Sequence, residues 1–338
     1  MNLQKRHIVY FAIAAVIAAA LAALCLLTGS VDIPAREVLQ IITGGEASRA
    51  TWQNIILEIR VPSIVTAALA GAALSVAGLM MQTVFNNPLA GPSILGVSTG
   101  ASLGVAIAML AMGASMAHSE ATLLAATLGA AAVTMILVAL SALVRSTMML
   151  LIVGILLSYL TSSIISLLNF FGTEQGVHSY VMWGLGSFTT IGRDGLPLMA
   201  STTIAAIVLA ALCAKPLNAM LAGDRYAANL GLDVRVWRTL LLLVAATLTA
   251  VVTAYCGPIA FLGLVVPHIA RLVFGTANHN TLMPATAITG VVTALFTLYL
   301  STAFPTHGVL PVNAITPIIG VPVILYIIFN RRRISYFN

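Results

Sequence analysis

Apolar residues in this chain neither alternate nor gather into amphipathic stripes. They run in long unbroken blocks, split by short joints rich in proline, glycine and asparagine. A block of about 20 such residues is long enough as a helix to cross a hydrocarbon core of about 30 Å. The blocks predict ten spans, near 8–29, 61–82, 93–112, 121–143, 147–168, 195–213, 239–256, 258–274, 282–303 and 313–330. Joints such as "NNPLAGP" (86–92), "CGP" (256–258) and "LP" (310–311) carry breaker residues and support the cuts. Strands of a membrane barrel would alternate apolar and polar positions, which these do not.

Composition fits this reading. Of 338 residues, 60% are hydrophobic and only 7% charged, too little polar surface for a water-soluble chain of this size. The fold class expected is an all-α polytopic membrane protein. The basic start and apolar run at the N-terminus resemble a signal peptide, but Ile8 to Leu27 exceeds the usual core of about 7–15 residues. A retained first span is expected. Cys25, Cys213 and Cys256 lie in or beside spans without metal-ligand spacing, and read as small apolar packers.

Charge orients the spans. With the N-terminus inside, the inner joints and tails carry eleven of the fifteen lysines and arginines, and the outer ones Arg36, Arg49, Arg60 and Arg193. This is the bias of cytoplasmic loops. Both termini are then cytoplasmic. Of nine acids, Asp224 and Asp233 alone lie inside. Outer segment 30–60 contains Val38, Leu39, Ile41 and Ile42, which predict one apolar face of a short interfacial helix. Outer segment 169–194 carries Tyr180 and Trp183, residues suited to an interfacial belt. Gly71 and Gly78, and Gly96, Gly100 and Gly104, line helix faces that predict close packing, with a glycine-lined substrate path as the alternative.

Candidate chemistry is sparse. Lys5 and Lys215 are the only lysines and neither follows a glycine-rich loop, so no Walker A motif holds nucleotide phosphates. No carboxylate lies within a span, which argues against an ion-coupled carrier. No metal motif, nucleophile elbow or paired carboxylate appears, so an enzyme is not expected, and neither is a metal or cofactor. His268 reads as a packed, hydrogen-bonded histidine. What remains is the stretch "AGDRYAANLGLDVRVWR" (222–238), five charges between two apolar blocks. It predicts two short helices over 217–233, broken at Gly223 and Gly231, with Asp224 capping the second. A bundle of membrane helices without its own energy source needs a partner, and this loop offers the partner a surface.

Three segments carry a resemblance to a known family. "RVPSIVTAALAGAALSVAGLMMQTVFNNPLAGPSILGVSTGAS" (60–102), "GPIAFLGLVVPHIARLVFG" (257–275) and "GDRYAANLGLDV" (223–234) resemble the FecCD-type permeases, the membrane subunits of ABC importers for iron-siderophores, haem and cobalamin. The resemblance covers essentially the whole chain and implies one transmembrane permease domain over 1–338, of type II importer fold with an inverted repeat. It implies a homodimer, two ATPase subunits that bind the ATP, and a periplasmic or surface substrate-binding protein, with no nucleic acid involved.

Segment 214–238 becomes the cytoplasmic coupling loop, with Leu217, Asp224, Arg225, Ala227, Ala228, Leu230 and Gly231 as contact residues. Ala227 and Ala228 are small enough to enter a groove, and Arg225 is the polar anchor. Lys215, Arg235 and Arg238 read as orientation charges near headgroups. Arg49 and Arg60 are expected on the outer surface, facing acids of a binding protein. Arg145, Ser146 and Thr147 precede the fifth span as part of an inner gate. Tyr159, Ser163 and Asn169, with Gln82 and Asn86, are expected to face the path or neighbouring helices rather than lipid. The chain departs from the family at Ser63, where a second arginine is usual, at Leu298, where an aspartate is usual, and at 309–313, where "VLPVN" replaces Glu-x-Pro-x-Gly. A self-sufficient carrier or channel for a small solute is the alternative reading.

Overall fold

The structure, a computed structural model, describes residues 3–111, 120–144, 147–303 and 308–329. Among the described residues it is all helix, without strands. In chain order the helices are α1 (Leu3–Leu27), α2 (Ala35–Ile42), α3 (Ala50–Asn54), α4 (Val61–Val84), α5 (Val97–Ala106), α6 (Glu120–Leu143), α7 (Thr147–Phe171) and α8 (Glu174–Gly184). They continue as α9 (Leu196–Leu212), α10 (Ala214–Leu221), α11 (Asp224–Asn229), α12 (Val234–Cys256), α13 (Leu262–Phe274), α14 (His279–Thr302) and α15 (Val312–Phe329). A π-helical stretch, Ile55–Arg60, joins α3 to α4, and another, Ile107–Ala111, extends α5.

Each expected span has a helix. Among the described residues, six helical stretches are long and apolar enough to cross a membrane, and α9 with α10, bent by 48°, makes a seventh if the pair is taken as one span. Val97–Ala111, Leu262–Phe274 and Val312–Ile327 are shorter apolar helices. The eighth expected span starts late because the chain breaks at 257–261, where Gly257 (φ 72°) and Phe261 (φ 68°) leave helical geometry.

The central helix is α4, with α9, α12, α13 and α14 packed around it and α5, α6 and α7 forming a flank. Glycines permit the closest approaches. A Cβ on Gly78 would lie 1.7 Å from the Gly263 carbonyl oxygen of α13, and one on Gly71 would lie 2.3 Å from that of Gly290 in α14. On the flank, a Cβ on Gly104 would lie 2.0 Å from the Ala125 oxygen, and one on Gly129 would lie 2.1 Å from that of Gly100. Gly71, Gly78, Gly100 and Gly104 are therefore helix contacts, whereas Gly96 (φ 78°) lies in the turn before α5 and not on a helix face. Van der Waals packing at short range is the main attraction available between helices in lipid.

One end of the bundle holds the segments 28–54, 172–195, 256–261 and 308–313. Here Asn313 ties three joints together. Its amide nitrogen donates to the carbonyls of Pro258 (2.6 Å) and Gly184 (3.2 Å), and its oxygen accepts from Ala260 N (3.0 Å). Backbone out of helix at this depth must be satisfied by protein. Asn313 is thus a structural replacement at the position where a glycine is usual. On the same end, α2 forms as expected, but its buried face is Val38 and Ile41, while Leu39 and Ile42 are exposed. The backbone N–H and hydroxyl of Ser48 both donate to Glu37, holding its carboxyl below the usual carboxylate range. Trp183, expected at an interfacial belt, is instead buried in the core with Tyr180 stacked on it at 6.5 Å.

The α4–α13 contact leaves no room for a methyl group. Overpacking a tight interior costs about 1–3 kcal/mol, and here the obstacle is backbone. Gly78→Ala should lower the thermal unfolding temperature of the purified protein clearly. Gly184→Ala, where an added Cβ meets nothing within 4 Å, should not. Equal behaviour of the two variants would show that the interface yields.

Candidate functional site

The opposite end of the bundle presents the charged stretch. The chain leaves α9 at Cys213, bends, and forms α10 with Pro216 in its first turn. Gly223 (φ 96°) reverses it into α11, and Gly231 (φ 83°) ends that helix. Both angles are ones that side-chain-bearing residues rarely adopt, so glycine is required at each. The two short helices expected across this stretch are thus α10 and α11.

Asp224 does not cap α11. No side chain caps that helix. Instead its carboxylate pairs with Arg238 at 2.5 Å, across from α11 to α12. Arg238, expected as a headgroup charge, is 7% exposed and reaches inward. The capping role belongs to Asp233, whose Oδ1 accepts from Arg235 N (3.0 Å) and Val236 N (3.2 Å) at the start of α12. Leu217 and Ala227 are fully buried and anchor the loop on the bundle, so neither is a contact residue for a partner. The exposed surface is Arg225, Tyr226, Ala228, Leu230 and Gly231, with Tyr226 53% and Leu230 58% exposed. A cleft of about 380 Å³ separates this loop from the end of α4, lined by Thr83–Asn86 on one side and Met220–Arg225 on the other.

The other candidates separate. Gln82 is fully buried. Its amide donates to Leu264 O (3.1 Å) and its oxygen accepts from Arg271, so it joins α4 to α13 and does not face an open path. His268 lies beside it, with Nε2 at 2.7 Å from Pro88 O. That contact makes Nε2 a donor, so the 3.4 Å approach of the Gln82 amide nitrogen is a contact between two donors and not a hydrogen bond. Asn86 is exposed at φ 43°.

Arg60, expected on the outer surface, lies inside the bundle. It is 7% exposed, and its guanidinium donates to the carbonyls of Leu26 and Val31, strapping α1 and the following turn to α4. Arg60 and Leu298 both line a cavity of about 330 Å³, and the Arg60 hydrogen bonds go to backbone oxygens. Arg49 is exposed, with its guanidinium 4.8 Å from the Trp52 ring centre.

In α7, Tyr159 (70% exposed) and Ser163 lie on a face that no other described helix covers, beside Leu156, Leu160 and Leu167. Asn169 is half-buried and its Oδ1 is buried without a hydrogen-bond partner. Arg145 and Ser146 lie outside the described residues, as does the side chain of Thr147. Sequence reasoning passed over Arg271, Asn218, Thr83 and His279. The first was legible: His268 and Arg271, three apart, share one face of α13.

Comparison with known proteins agrees with this architecture. The FecCD transport family matches residues 15–330, and the chain belongs to it. The vitamin B12 import system permease protein BtuC of Salmonella typhi is 32% identical over 294 residues, covering 87% of this chain and 89% of that protein. BtuC of Klebsiella pneumoniae subsp. pneumoniae is 33% identical over 293 residues, covering 87% and 88%. Among solved structures, a metal-chelate type ABC transporter in an inward-facing conformation superposes with TM-score 0.83 at 25% identity, covering 95% of this chain and 98% of that one. The chain is therefore a polytopic ABC importer permease of the FecCD family, a transport component and not an enzyme.

The Asp224–Arg238 pair should hold the loop rigid. A hydrogen bond to a charged group is worth about 1.5–3 kcal/mol. Asp224→Ala should then speed amide exchange across 224–230 by about tenfold or more, since about 1.4 kcal/mol is a factor of ten, and leave α4 protected. Unchanged exchange in the loop would show that the pair holds nothing.

Proposed function

We propose that this chain moves a cobalamin, haem or iron-siderophore across the bacterial cytoplasmic membrane as one half of a homodimer. It crosses the membrane ten times, with both termini in the cytoplasm. Two ATP-binding subunits dock on the α10–α11 loop, and a substrate-binding protein docks at the opposite end. The permease binds no cofactor of its own, and the ATP is held by its partners.

The observation that carries this reading is the α10–α11 loop. It is a compact, polar knob on an apolar bundle, packed from within by Leu217 and Ala227 and clasped by the Asp224–Arg238 pair. Its outer face offers a small residue, Ala228, between Arg225 and Leu230. A surface of this kind transmits force because it cannot deform locally. The relatives named for vitamin B12 import support cobalamin as the first substrate to test. The uncovered α7 face supports the homodimer. Tyr159, Ser162, Ser163 and Ser166 are all exposed there, and polar side chains facing lipid are disfavoured. A second copy across an axis would shelter them and line a path with them. Among the outer arginines, Arg49 remains outward and is the docking candidate, while Arg60 supports that surface from below.

Two loop variants test the ATPase contact. Ala228→Trp blocks the outer face, and Gly231→Val forces a left-handed backbone that costs about 1–2 kcal/mol in a residue with a Cβ. Both should insert and fold, yet lose ATP-driven uptake or release the ATPase subunits. Normal uptake with the ATPase still bound would reduce the loop to a connector. Retention assays on the partnering substrate-binding protein, with cyanocobalamin, haemin and a ferric siderophore side by side, should single out the substrate.

A further inference from the structure

The α10–α11 loop is joined to the membrane helices by an unbroken run of side-chain hydrogen bonds. In α10, the Asn218 oxygen accepts from the backbone N–H of His279 (2.7 Å) and lies 3.0 Å from its ring Nδ1. The Asn218 amide donates to Asn278 Oδ1 (3.0 Å), and Asn278 itself caps α14 by accepting from Asn280 N (3.0 Å). One side chain of the loop thus holds the first turn of α14 at three points. The opposite ring nitrogen of His279, Nε2, lies 2.8 Å from the Thr83 hydroxyl of α4, and His279 is fully buried.

Hydrogen-bond accounting fixes the direction. The Asn218 oxygen only accepts, so Nδ1 of His279 carries the proton. In the neutral ring Nε2 then accepts, and the Thr83 hydroxyl shares its one proton between Nε2 and the carbonyl of Leu79 one turn back in α4 (3.0 Å). The next residue of α4, Gln82, continues into α13 through Leu264 O and Arg271, and His268 of α13 holds Pro88 in the turn that follows α4. Consecutive residues at the end of the central helix therefore face two different neighbours.

We infer that Asn218, His279 and Thr83 are positioning residues that carry displacement of the loop to the end of α4, and through Gln82 to α13. This rests on the loop being the ATPase-facing surface. The physical argument is one of stiffness. Apolar helix faces in lipid can slide past one another, because the attraction given up on one side is recovered on the other. A buried hydrogen bond cannot slide without leaving its donor or acceptor unsatisfied. His279 spans two helices with its two nitrogens, so α10 and α4 cannot part without breaking one of them.

The test uses the permease assembled with its ATPase subunits in nanodiscs, read by amide hydrogen exchange with and without ATP plus vanadate. In the unaltered assembly, nucleotide should change exchange at 222–232 and at 82–90. Thr83→Val removes one hydroxyl at constant size. It should keep the nucleotide-dependent change in the loop and lose it at 82–90, and Thr83→Ser should retain both. His279→Gln keeps an acceptor near the Nε2 position and cuts the Asn218 arm, while His279→Asn keeps a donor near Nδ1 and cuts the Thr83 arm. Both should lose the response at 82–90, because the arms act in series. A nucleotide-dependent change at 82–90 that survives in Thr83→Val and in both His279 variants would overturn the inference. So would variants that raise exchange there equally with and without nucleotide while the nucleotide-dependent difference persists, which is the signature of a purely structural bond. A loop that fails to respond in the unaltered assembly would count against the ATPase-facing surface itself, and would remove this inference with it.

Discussion

The constraint on which this structure depends is that a polar group inside the hydrocarbon has no water to fall back on. Each unsatisfied backbone group there costs several kcal/mol. Long helices meet the demand by themselves, and most of the chain is long helix. Everything distinctive occurs where helix cannot be kept. The break at 257–261 is tolerated because Asn313 supplies donors and an acceptor to it. The end of α4 is tolerated because His268 reaches across to Pro88 in the turn that follows it, and Gln82 reaches out from it to Leu264 O of α13. Arg60, a charge at the edge of the same interior, persists because two carbonyls left by the end of α1 and its following turn accept from it.

The two ends of the bundle solve the problem differently. Around Asn313 one side chain bonds to several backbone carbonyls and amides, which fixes three joints as a single knot. Around Gln82, Thr83 and His279 the bonds run mostly between side chains of different helices, one partner to the next. A knot resists any relative motion of its joints. A series transmits it. The end that faces the loop is built in series, and the central helix α4 is the member shared with the close glycine contacts at Gly71 and Gly78. Displacing its end therefore loads the whole packed core, because tight backbone contacts have no slack to absorb a shift.

Much of this was legible in the residues alone. The helices followed from block length, and the glycine faces followed from spacing, because helix period and hydrocarbon thickness are fixed quantities. The two loop helices followed from Gly223 and Gly231. What was not legible is pairing at a distance. Gly78 meets Gly263, and Asn313 meets Pro258, through packing that no local pattern encodes. Arg60 was misread for a related reason: an arginine at a span's end looks the same whether it points to a partner or to carbonyls behind it. Asn218 and His279 were invisible because each lies in an ordinary polar joint, and their meaning exists only once α10 and α14 are adjacent. The candidate site was thus legible as a location, while the division of its residues between inner support and outer contact required the packing.

That division answers why five charges crowd into 222–238. Asp224 and Arg238 neutralise each other across the α11–α12 corner, and Asp233 is consumed in capping α12. Three of the five are structural, and they do work that apolar residues cannot do at the edge of a bundle, where a hydrophobic clamp would be open to water on one side. Arg225 and Arg235 are left pointing outward. The charge density of the stretch therefore reports rigidity first and recognition second. A loop meant only to be soluble would scatter its charges outward. This one turns an ion pair back on itself, and so presents a small, stiff surface whose shape does not depend on what covers it.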